Sequence, residues 1–130
     1  MTEKVSLGLM QISSGPNKEE SFKKLDNSIR RLEKKPDIIV TPEYFGGLRN
    51  GELDKSIIKR NALSIESDYI EKMKEITKQH ELSILFNAYR KKEDGYANSI
   101  IFLNGDGIKG IYDKIHLFDA LGHKESHFFK

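Results

Sequence analysis

The sequence contains no cysteine among its 130 residues. Disulfide bonds and cysteine-based zinc sites are therefore excluded within this chain, which suits a protein of the reducing cell interior. Charge of one sign is also scarce, because 22 Lys and Arg residues are balanced by 20 Asp and Glu residues, leaving a net charge of +2. So small an excess gives no broad basic field, which argues against nucleic acid as a partner.

Long apolar runs are missing as well. No stretch approaches the roughly 20 apolar residues of a membrane-spanning helix, so we expect no membrane partner. The N-terminal MTEKVSLGLMQ alternates in polarity and lacks the continuous apolar core of a signal peptide. The phosphate-binding patterns GxGxxG and Walker A are absent, and the pairs Gly46-Gly47 and Gly105-x-Gly107 do not replace them. These absences lead us to expect a cytoplasmic protein, and 130 residues are enough for one modest domain.

Two periodicities alternate along the chain. Apolar residues at every second position predict strands, whereas apolar residues three or four positions apart predict helices. The strong hairpin signal Asn104-Gly105-Asp106-Gly107 connects the last two predicted strands. The predicted strands cover residues 4–11, 37–40, 82–89, 97–103 and 108–118.

Helices are predicted between the first three strands. Asn17 can cap the first one, with Glu20 three positions on completing a capping box, and Pro36 ends it. A short helix is expected within 48–66, and Ser67 can cap a further one. The resulting order, β-α-β-α-β-β-β, predicts an α/β layer structure with a mixed sheet.

Glu43 directly follows a predicted buried strand. Reactive groups of open α/β sheets gather beyond the carboxyl ends of strands, where a partly desolvated carboxylate can act as a general base. The alternative is an ordinary loop glutamate that pairs with a nearby basic residue.

Lys114 lies within the last predicted strand, beside aromatic residues and His116. A lysine among apolar neighbours needs a carboxylate partner, and such a cation can stabilise a developing oxyanion. The alternative is an edge-strand lysine that discourages aggregation.

Three other groups of residues give weaker signals. His116, His123 and His127 have no ligand spacing that would favour a metal site over solvated or packed histidines. No serine lies in a nucleophile-elbow context. The loop 44–66 is expected to line a pocket, in which basic or polar side chains could meet a substrate carboxylate: Arg49, Asn50 and Arg60.

Taken in order, four segments resemble the nitrilase superfamily, the carbon–nitrogen hydrolases. They are KVSLGLMQ, PDIIVTPEYF, YANSIIFLNGDGIKGIYDKIHLF and HKESHFF, and the resemblance extends from about residue 4 to the end. It implies the N-terminal half of an αββα sandwich, with a mixed sheet that has helices on one face. It also implies hydrolysis of a small amide by a Glu-Lys-Cys site that needs no metal or organic cofactor.

By this resemblance, Glu43 would be the general base and Lys114 would stabilise the tetrahedral oxyanion. Glu125 resembles a second glutamate that positions the base or the substrate. The nucleophilic cysteine of the family lies on a later strand, and this chain has none. We therefore expect residues 1–130 to be a partial domain that is inactive alone and leaves an apolar sheet face uncovered.

Three accounts of the missing cysteine remain open at this point. The chain can be part of a longer hydrolase, or it can pair with a separate chain that carries the cysteine. It can also be a non-catalytic module that acts by self-association or partner binding. Both the resemblance and the uncovered sheet lead us to expect a homo-oligomer or a complementary cysteine-bearing half.

Overall fold

The computed structural model describes residues 2–130, which form five strands, three α-helices and one 3₁₀ turn. None of the helices in this range is both long and apolar enough to cross a membrane. The strands are β1 (Leu7–Leu9), β2 (Ile38–Val40), β3 (Ser83–Lys92), β4 (Gly95–Asn104) and β5 (Gly107–Asp113); the helices are α1 (Lys18–Arg31), α2 (Lys55–Asn61) and α3 (Asp68–His80); the 3₁₀ turn is Glu125–His127.

All five strands form one mixed sheet in the order β1-β2-β3-β4-β5. The first three strands are parallel, and the last three form antiparallel pairs. The parallel part follows from the helical crossovers, and the antiparallel part from the two tight turns. The predicted α/β class and mixed sheet are confirmed.

Several predicted strand boundaries were wrong, and the strand predicted at 82–89 extends to Lys92. The last strand ends at Asp113 instead of 118, so Lys114 lies just beyond it and not in its middle. The Lys114 amide still bonds the Asn98 carbonyl at 2.8 Å, but the Phe118 amide then bonds the Glu125 carboxylate at 2.7 Å. The bond from Phe118 to a buried carboxylate takes the place of the strand pairing that the alternating pattern predicted there. The first strand is likewise shorter than 4–11.

Capping residues explain the ends of α1. The Asn17 side chain accepts a hydrogen bond from the Glu20 amide at 2.8 Å, as the sequence predicted. At the other end, the Lys35 ammonium donates to the carbonyls of Ile29 and Leu32, which satisfies acceptors that the helix leaves free. Ser67 occupies the N-cap position of α3, but its hydroxyl forms no capping hydrogen bond.

The main core lies between one face of the sheet and the helices α1 and α3. Alternate residues of β3, namely Ile84, Phe86 and Ala88, enter this core, as their period of two requires. The helices contribute apolar side chains at helical spacing, including Leu25, Ile29, Ile70, Met73 and Ile76.

The opposite face of the sheet is covered only in part. Near the end of β3, α2 and Phe129 pack around Tyr89 in a second, smaller apolar cluster. Elsewhere on that face, apolar side chains remain exposed, as we expected. We call this surface the open face; its exposed members are Leu7, Leu9, Ile100 and Tyr112.

Candidate active site

The loop that carries Glu43 leaves the sheet at the carboxyl end of β2. The loop is held on both sides of the glutamate by Asn87. The Thr41 hydroxyl accepts from the Asn87 backbone amide, and the Phe45 backbone amide donates to the Asn87 side-chain oxygen, each at 3.1 Å. Tyr44 adopts a left-handed backbone with φ of 59°, which is uncommon for a residue other than glycine. The loop is therefore a fixed element that presents the Glu43 side chain beyond the sheet.

Lys114 reaches the same place from the end of β5. Its ammonium nitrogen lies 3.0 Å from Glu43 Oε1 and 3.0 Å from Glu125 Oε2. The structure thus brings together the three predicted site residues, with Glu43 and Glu125 lying 71 and 11 positions from Lys114 along the chain. One ammonium is bracketed by two carboxylates.

Glu125 is the buried member of this cluster, with only 2% of its side chain exposed. Its Oε1 accepts from the Tyr44 hydroxyl and from the Lys114 ammonium, and its Oε2 accepts from the Phe118 amide and from the same ammonium. Both oxygens are therefore fully engaged. A carboxylate held in this way is suited to fixing its neighbours and is poorly placed to accept a proton.

Glu43 is held much less completely, and 49% of its side chain is exposed. Its Oε1 accepts from the Lys114 ammonium and from the Asn98 side-chain amide, both at 3.0 Å. Within residues 2–130, no hydrogen bond reaches its Oε2. The geometry thus separates the two glutamates, because only Glu43 has an oxygen free to accept a proton.

The surroundings favour the charged forms of Glu125 and Lys114. Burial by itself would raise the pKa of Glu125, but hydrogen bonds from Phe118, Tyr44 and Lys114 hold it below its ordinary value. Burial would lower the pKa of Lys114, but the bonds to the two carboxylates raise it above its ordinary value. Burial and the bond to Glu125 raise the pKa of Tyr44, so its hydroxyl stays a proton donor.

A second ion pair anchors the strand end from which Lys114 extends. The Arg90 guanidinium donates two hydrogen bonds to Asp113, at 2.5 and 3.3 Å, and the Ser99 hydroxyl donates a third at 2.6 Å. Burial would raise the pKa of Asp113, but these bonds hold it below its ordinary value. The contact joins β3, β4 and β5 directly beside Lys114, so it fixes the point from which the lysine side chain projects.

Sequence reasoning missed several residues of this neighbourhood. Asn87 and Asn98 lie next to Glu43 and are almost fully buried. Each interrupts an otherwise apolar strand, in SILFNAYR and YANSIIF, and a buried amide needs hydrogen-bond partners. That signal was present in the sequence, although it could not name the partners.

Two cavities flank the cluster. One of about 350 Å³ lies on the open face, and Glu43 and Lys114 are among its lining residues. The other, of about 660 Å³, lies between the loop after Tyr44 and the segment that carries Glu125. Reactants and further protein groups could therefore approach the ammonium and its carboxylates from two sides.

The remaining predicted residues are not part of the charged cluster, although His123 and His127 line the larger cavity. His116, His123 and His127 are exposed, and within residues 2–130 no three His, Asp or Glu side chains are grouped to hold a metal ion. Arg49 bonds the Ser56 hydroxyl at 3.2 Å. Arg49, Asn50 and Arg60 are exposed and belong to neither of the two cavities beside the cluster.

Comparisons with known proteins agree with this fold. The family model described as carbon-nitrogen hydrolase matches residues 6–130. The citrullinase of Francisella tularensis subsp. tularensis is 30% identical over 129 residues, which are 96% of this chain and 45% of the relative. The chain therefore spans less than half the length of this curated relative.

Solved structures show the same fold. The Caenorhabditis elegans NitFhit protein matches with a TM-score of 0.78 at 24% identity, over 97% of this chain and 32% of that one. An amidase from Nesterenkonia sp. AN1 matches with a TM-score of 0.75 at 17% identity, over 97% and 47%. The matched structure is a mutant of that amidase, with the acetamide moiety of fluoroacetamide added covalently at the active site cysteine.

Proposed function

The chain belongs to the carbon–nitrogen hydrolase family, and we propose that it supplies the glutamate and lysine of an amide-hydrolysing site. The nucleophile in this proposal is a cysteine outside residues 1–130, because the chain itself has none. The observation that carries the proposal is the bracketing of Lys114 by Glu43 and Glu125 at 3.0 Å each. A carboxylate with one free oxygen beside a fixed ammonium can supply both the general base and the oxyanion-stabilising cation of thiol-based amide hydrolysis.

In the first half of the reaction, Glu43 takes the proton of the cysteine thiol through its free Oε2. The thiolate attacks the amide carbon, and the negative charge that develops on the carbonyl oxygen is stabilised by the Lys114 ammonium. Collapse of this tetrahedral intermediate breaks the C–N bond. The leaving nitrogen takes the proton from Glu43 and departs as ammonia or an amine, leaving a thioester.

In the second half, water replaces the leaving group. Glu43 takes a proton from the water, whose oxygen attacks the thioester carbon, and Lys114 again stabilises the oxyanion. The C–S bond then breaks, the thiolate recovers the proton from Glu43, and a carboxylic acid is released. Every proton is thus carried by one carboxylate.

Glu125 has a positioning role in this proposal. It is buried, its two oxygens are engaged, and it holds the Lys114 ammonium at a fixed point. A cation held in advance stabilises a developing charge without reorganising during the reaction.

The open face is where we propose that the cysteine-bearing part packs. The cavity that contains Glu43 and Lys114 opens onto this face, and its other lining residues include Val40, Leu85 and Ile100. A segment that covered the apolar surface would bring its own residues to the reactive pair. The active site cysteine named for the Nesterenkonia amidase supports a thiol as the missing group.

The substrate class in this proposal is a small, non-peptide amide, and the protein acts in the cytoplasm. The names citrullinase and amidase among the similar proteins support hydrolysis of a carbon–nitrogen bond in a small molecule.

The nucleotide sequence after codon 130 provides the first test. We expect it, or a neighbouring gene, to encode a cysteine after a β-type run. The completed enzyme should release ammonia from simple amides, whereas purified residues 1–130 should not. Turnover by residues 1–130 alone would contradict the need for an external cysteine.

Variants of the completed enzyme test the individual roles. Glu43→Gln should lower kcat by about 10²–10⁴-fold, because the general base is lost. Lys114→Met should lower it by about 10²–10³-fold, because the oxyanion loses its cation. Arg60→Gln is the matched control, since Arg60 is exposed and lines neither cavity. Unchanged kcat in Glu43→Gln would refute the assignment of the base.

The exposed apolar residues of the open face also favour a second candidate, a non-catalytic module that acts by self-association or partner binding. A stop codon after Lys130, together with no cysteine-bearing partner gene, would support it. Light scattering of the purified chain measures self-association, and a chain that stays monomeric would count against a self-associating module.

A further inference from the structure

A chain of two buried side-chain amides connects the Glu43 carboxylate to the backbone of its own loop. Asn98 Nδ2 donates to Glu43 Oε1 at 3.0 Å, and Asn98 Oδ1 accepts from Asn87 Nδ2 at 2.5 Å. Asn87 Oδ1 accepts from the Phe45 amide at 3.1 Å. Only 6% of Asn87 and 3% of Asn98 is exposed.

The Phe45 amide fixes the direction of every hydrogen bond in this series, which runs through Asn87 and Asn98 to Glu43. A backbone N–H can only donate, so Asn87 must turn its oxygen toward Phe45 and its NH₂ group toward Asn98. The second proton of that NH₂ group bonds the Ser99 carbonyl at 3.0 Å, which holds the Asn87 amide in the same orientation. Asn98 must then present its oxygen to Asn87 and its own NH₂ group to Glu43.

We infer that Asn87 and Asn98 form a polarity relay, in which the Phe45 amide fixes a hydrogen-bond donor against Glu43 Oε1. The role of the relay rests on the proposed function. Because the Asn98 donor occupies Glu43 Oε1, the other oxygen, Oε2, is the atom that accepts the proton. Asn98 and Asn87 are positioning residues, and Asn87 acts without touching Glu43.

The substitution Asn87→Asp tests the relay, because it replaces the NH₂ group by an oxygen and keeps the shape. The introduced carboxylate can still accept from the Phe45 amide, but its second oxygen then faces the Asn98 oxygen. Because the Glu43 carboxylate also only accepts, the Asn98 oxygen now meets an acceptor whichever way its amide is turned, so the donor at Glu43 Oε1 is no longer held in place. A remote change thereby removes the constraint that keeps a donor against the Glu43 carboxylate.

Asn61→Asp is the matched control. Asn61 is also buried, its oxygen accepts from the Lys18 amide at 3.0 Å, and its NH₂ group donates to the Ile57 carbonyl at 2.9 Å. The two substitutions therefore remove the same kind of buried amide contact and introduce the same charge. Only the one at residue 87 acts on the relay.

The measurement is two-dimensional proton–nitrogen NMR of the side-chain amides in residues 1–130, with and without Glu43→Gln. We expect Glu43→Gln to shift the Asn98 amide signals in the otherwise unchanged chain and in the Asn61→Asp background. The shift should be lost in the Asn87→Asp background. Its persistence with Asn87→Asp, or its equal loss with both substitutions, would overturn the relay.

A second measurement does not depend on the folding of the Asn87→Asp chain. If polarity is fixed from the Phe45 end, Glu43→Gln alone should move the Asn98 signals and leave the Asn87 signals in place. Equal movement of both pairs would mean that Glu43 dictates the orientation, which would overturn the inference.

The effect of the relay on catalysis is measured in the completed enzyme. There, Asn87→Asp should lower kcat at least tenfold with little change in KM. Asn61→Asp should change neither quantity. If the Asn87→Asp enzyme behaves like the Asn61→Asp enzyme, the positioning role of Asn87 is refuted. A completed enzyme without any amidase activity would refute the proposed function and leave the relay to be judged by NMR.

Discussion

The two faces of strand β3 differ in what they contribute to the molecule. On one face, Ile84 and Phe86 are completely buried under α1 and α3. On the other, Leu85 is only half-buried, and Asn87 takes part in the hydrogen bonds around Glu43. A single pleated strand therefore serves a packed apolar core with one set of side chains and a polar site with the other.

This difference shows how the molecule separates stability from chemistry. The covered face gains the free energy of apolar burial, which needs close packing and no particular hydrogen bonds. The other face holds charges and amides whose value depends on donor and acceptor placement. Substitutions on the two faces should therefore have effects of different size, through lost packing on the covered face and through lost hydrogen bonds on the other.

The largest effect is expected from Phe86→Ala. This change empties a fully buried site and should lower the free energy of unfolding by about 3–5 kcal/mol. Phe102→Ala is the matched change on the other face, where the ring is only half-buried, and should cost about 1–2 kcal/mol. Urea unfolding measures both, and equal losses would contradict the division between the faces.

Glu125→Gln should have the next largest effect on stability. It breaks a buried ion pair to Lys114 and weakens the bond from Tyr44, so we expect a loss of about 3 kcal/mol. Glu43→Gln removes the other carboxylate of the same lysine, but that carboxylate is half exposed and should contribute less than about 1 kcal/mol. A reversed order in urea unfolding would contradict the distinction between the two glutamates.

A pH dependence should follow from the lowered pKa values of Glu125 and Asp113. The stability that these groups contribute is present above their ordinary values of about 4 and is lost as pH falls through the lowered values. Urea midpoints measured from pH 7 downward should therefore decrease in acid, and Glu125→Gln should make the decrease shallower. An unaltered slope in that variant would count against the site as a source of acid sensitivity.

The smallest effect on stability is expected from Leu9→Lys on the open face, where Leu9 is 76% exposed. The free energy of unfolding should change by less than about 0.5 kcal/mol, whereas self-association measured by light scattering should decrease. Leu121→Lys is the matched control, because Leu121 is also exposed but lies outside the sheet. Equal effects of both changes on association would show that the open face has no special role.

Local patterns predicted most of the fold. The period of two in SILFNAYR, the capping by Asn17 and the turn at Asn104–Gly107 each depend on neighbours a few positions away. Such features can be derived from the sequence because backbone geometry and side-chain spacing act over a few residues. The strand boundary at Asp113 could not be derived in this way, since it depends on a contact between Phe118 and Glu125.

The site was predicted less completely. The position of Glu43 after a buried strand suggested a reactive carboxylate, but its association with Lys114 and Glu125 rested on a family resemblance and not on spacing. The Asn87–Asn98 relay and the Arg90–Asp113 pair were not predicted. Both cross strands, so they depend on the register of the sheet.

The sequence by itself determined the order of elements, the sides of the strands that become apolar and the absence of a thiol. Only the tertiary structure decided that three charged groups meet, which glutamate is buried and which oxygen of the other stays free. The physical reason is the separation along the sequence over which each interaction acts. Helix and strand preferences act between near neighbours, whereas ion pairs and hydrogen bonds depend on distances that only the folded chain establishes.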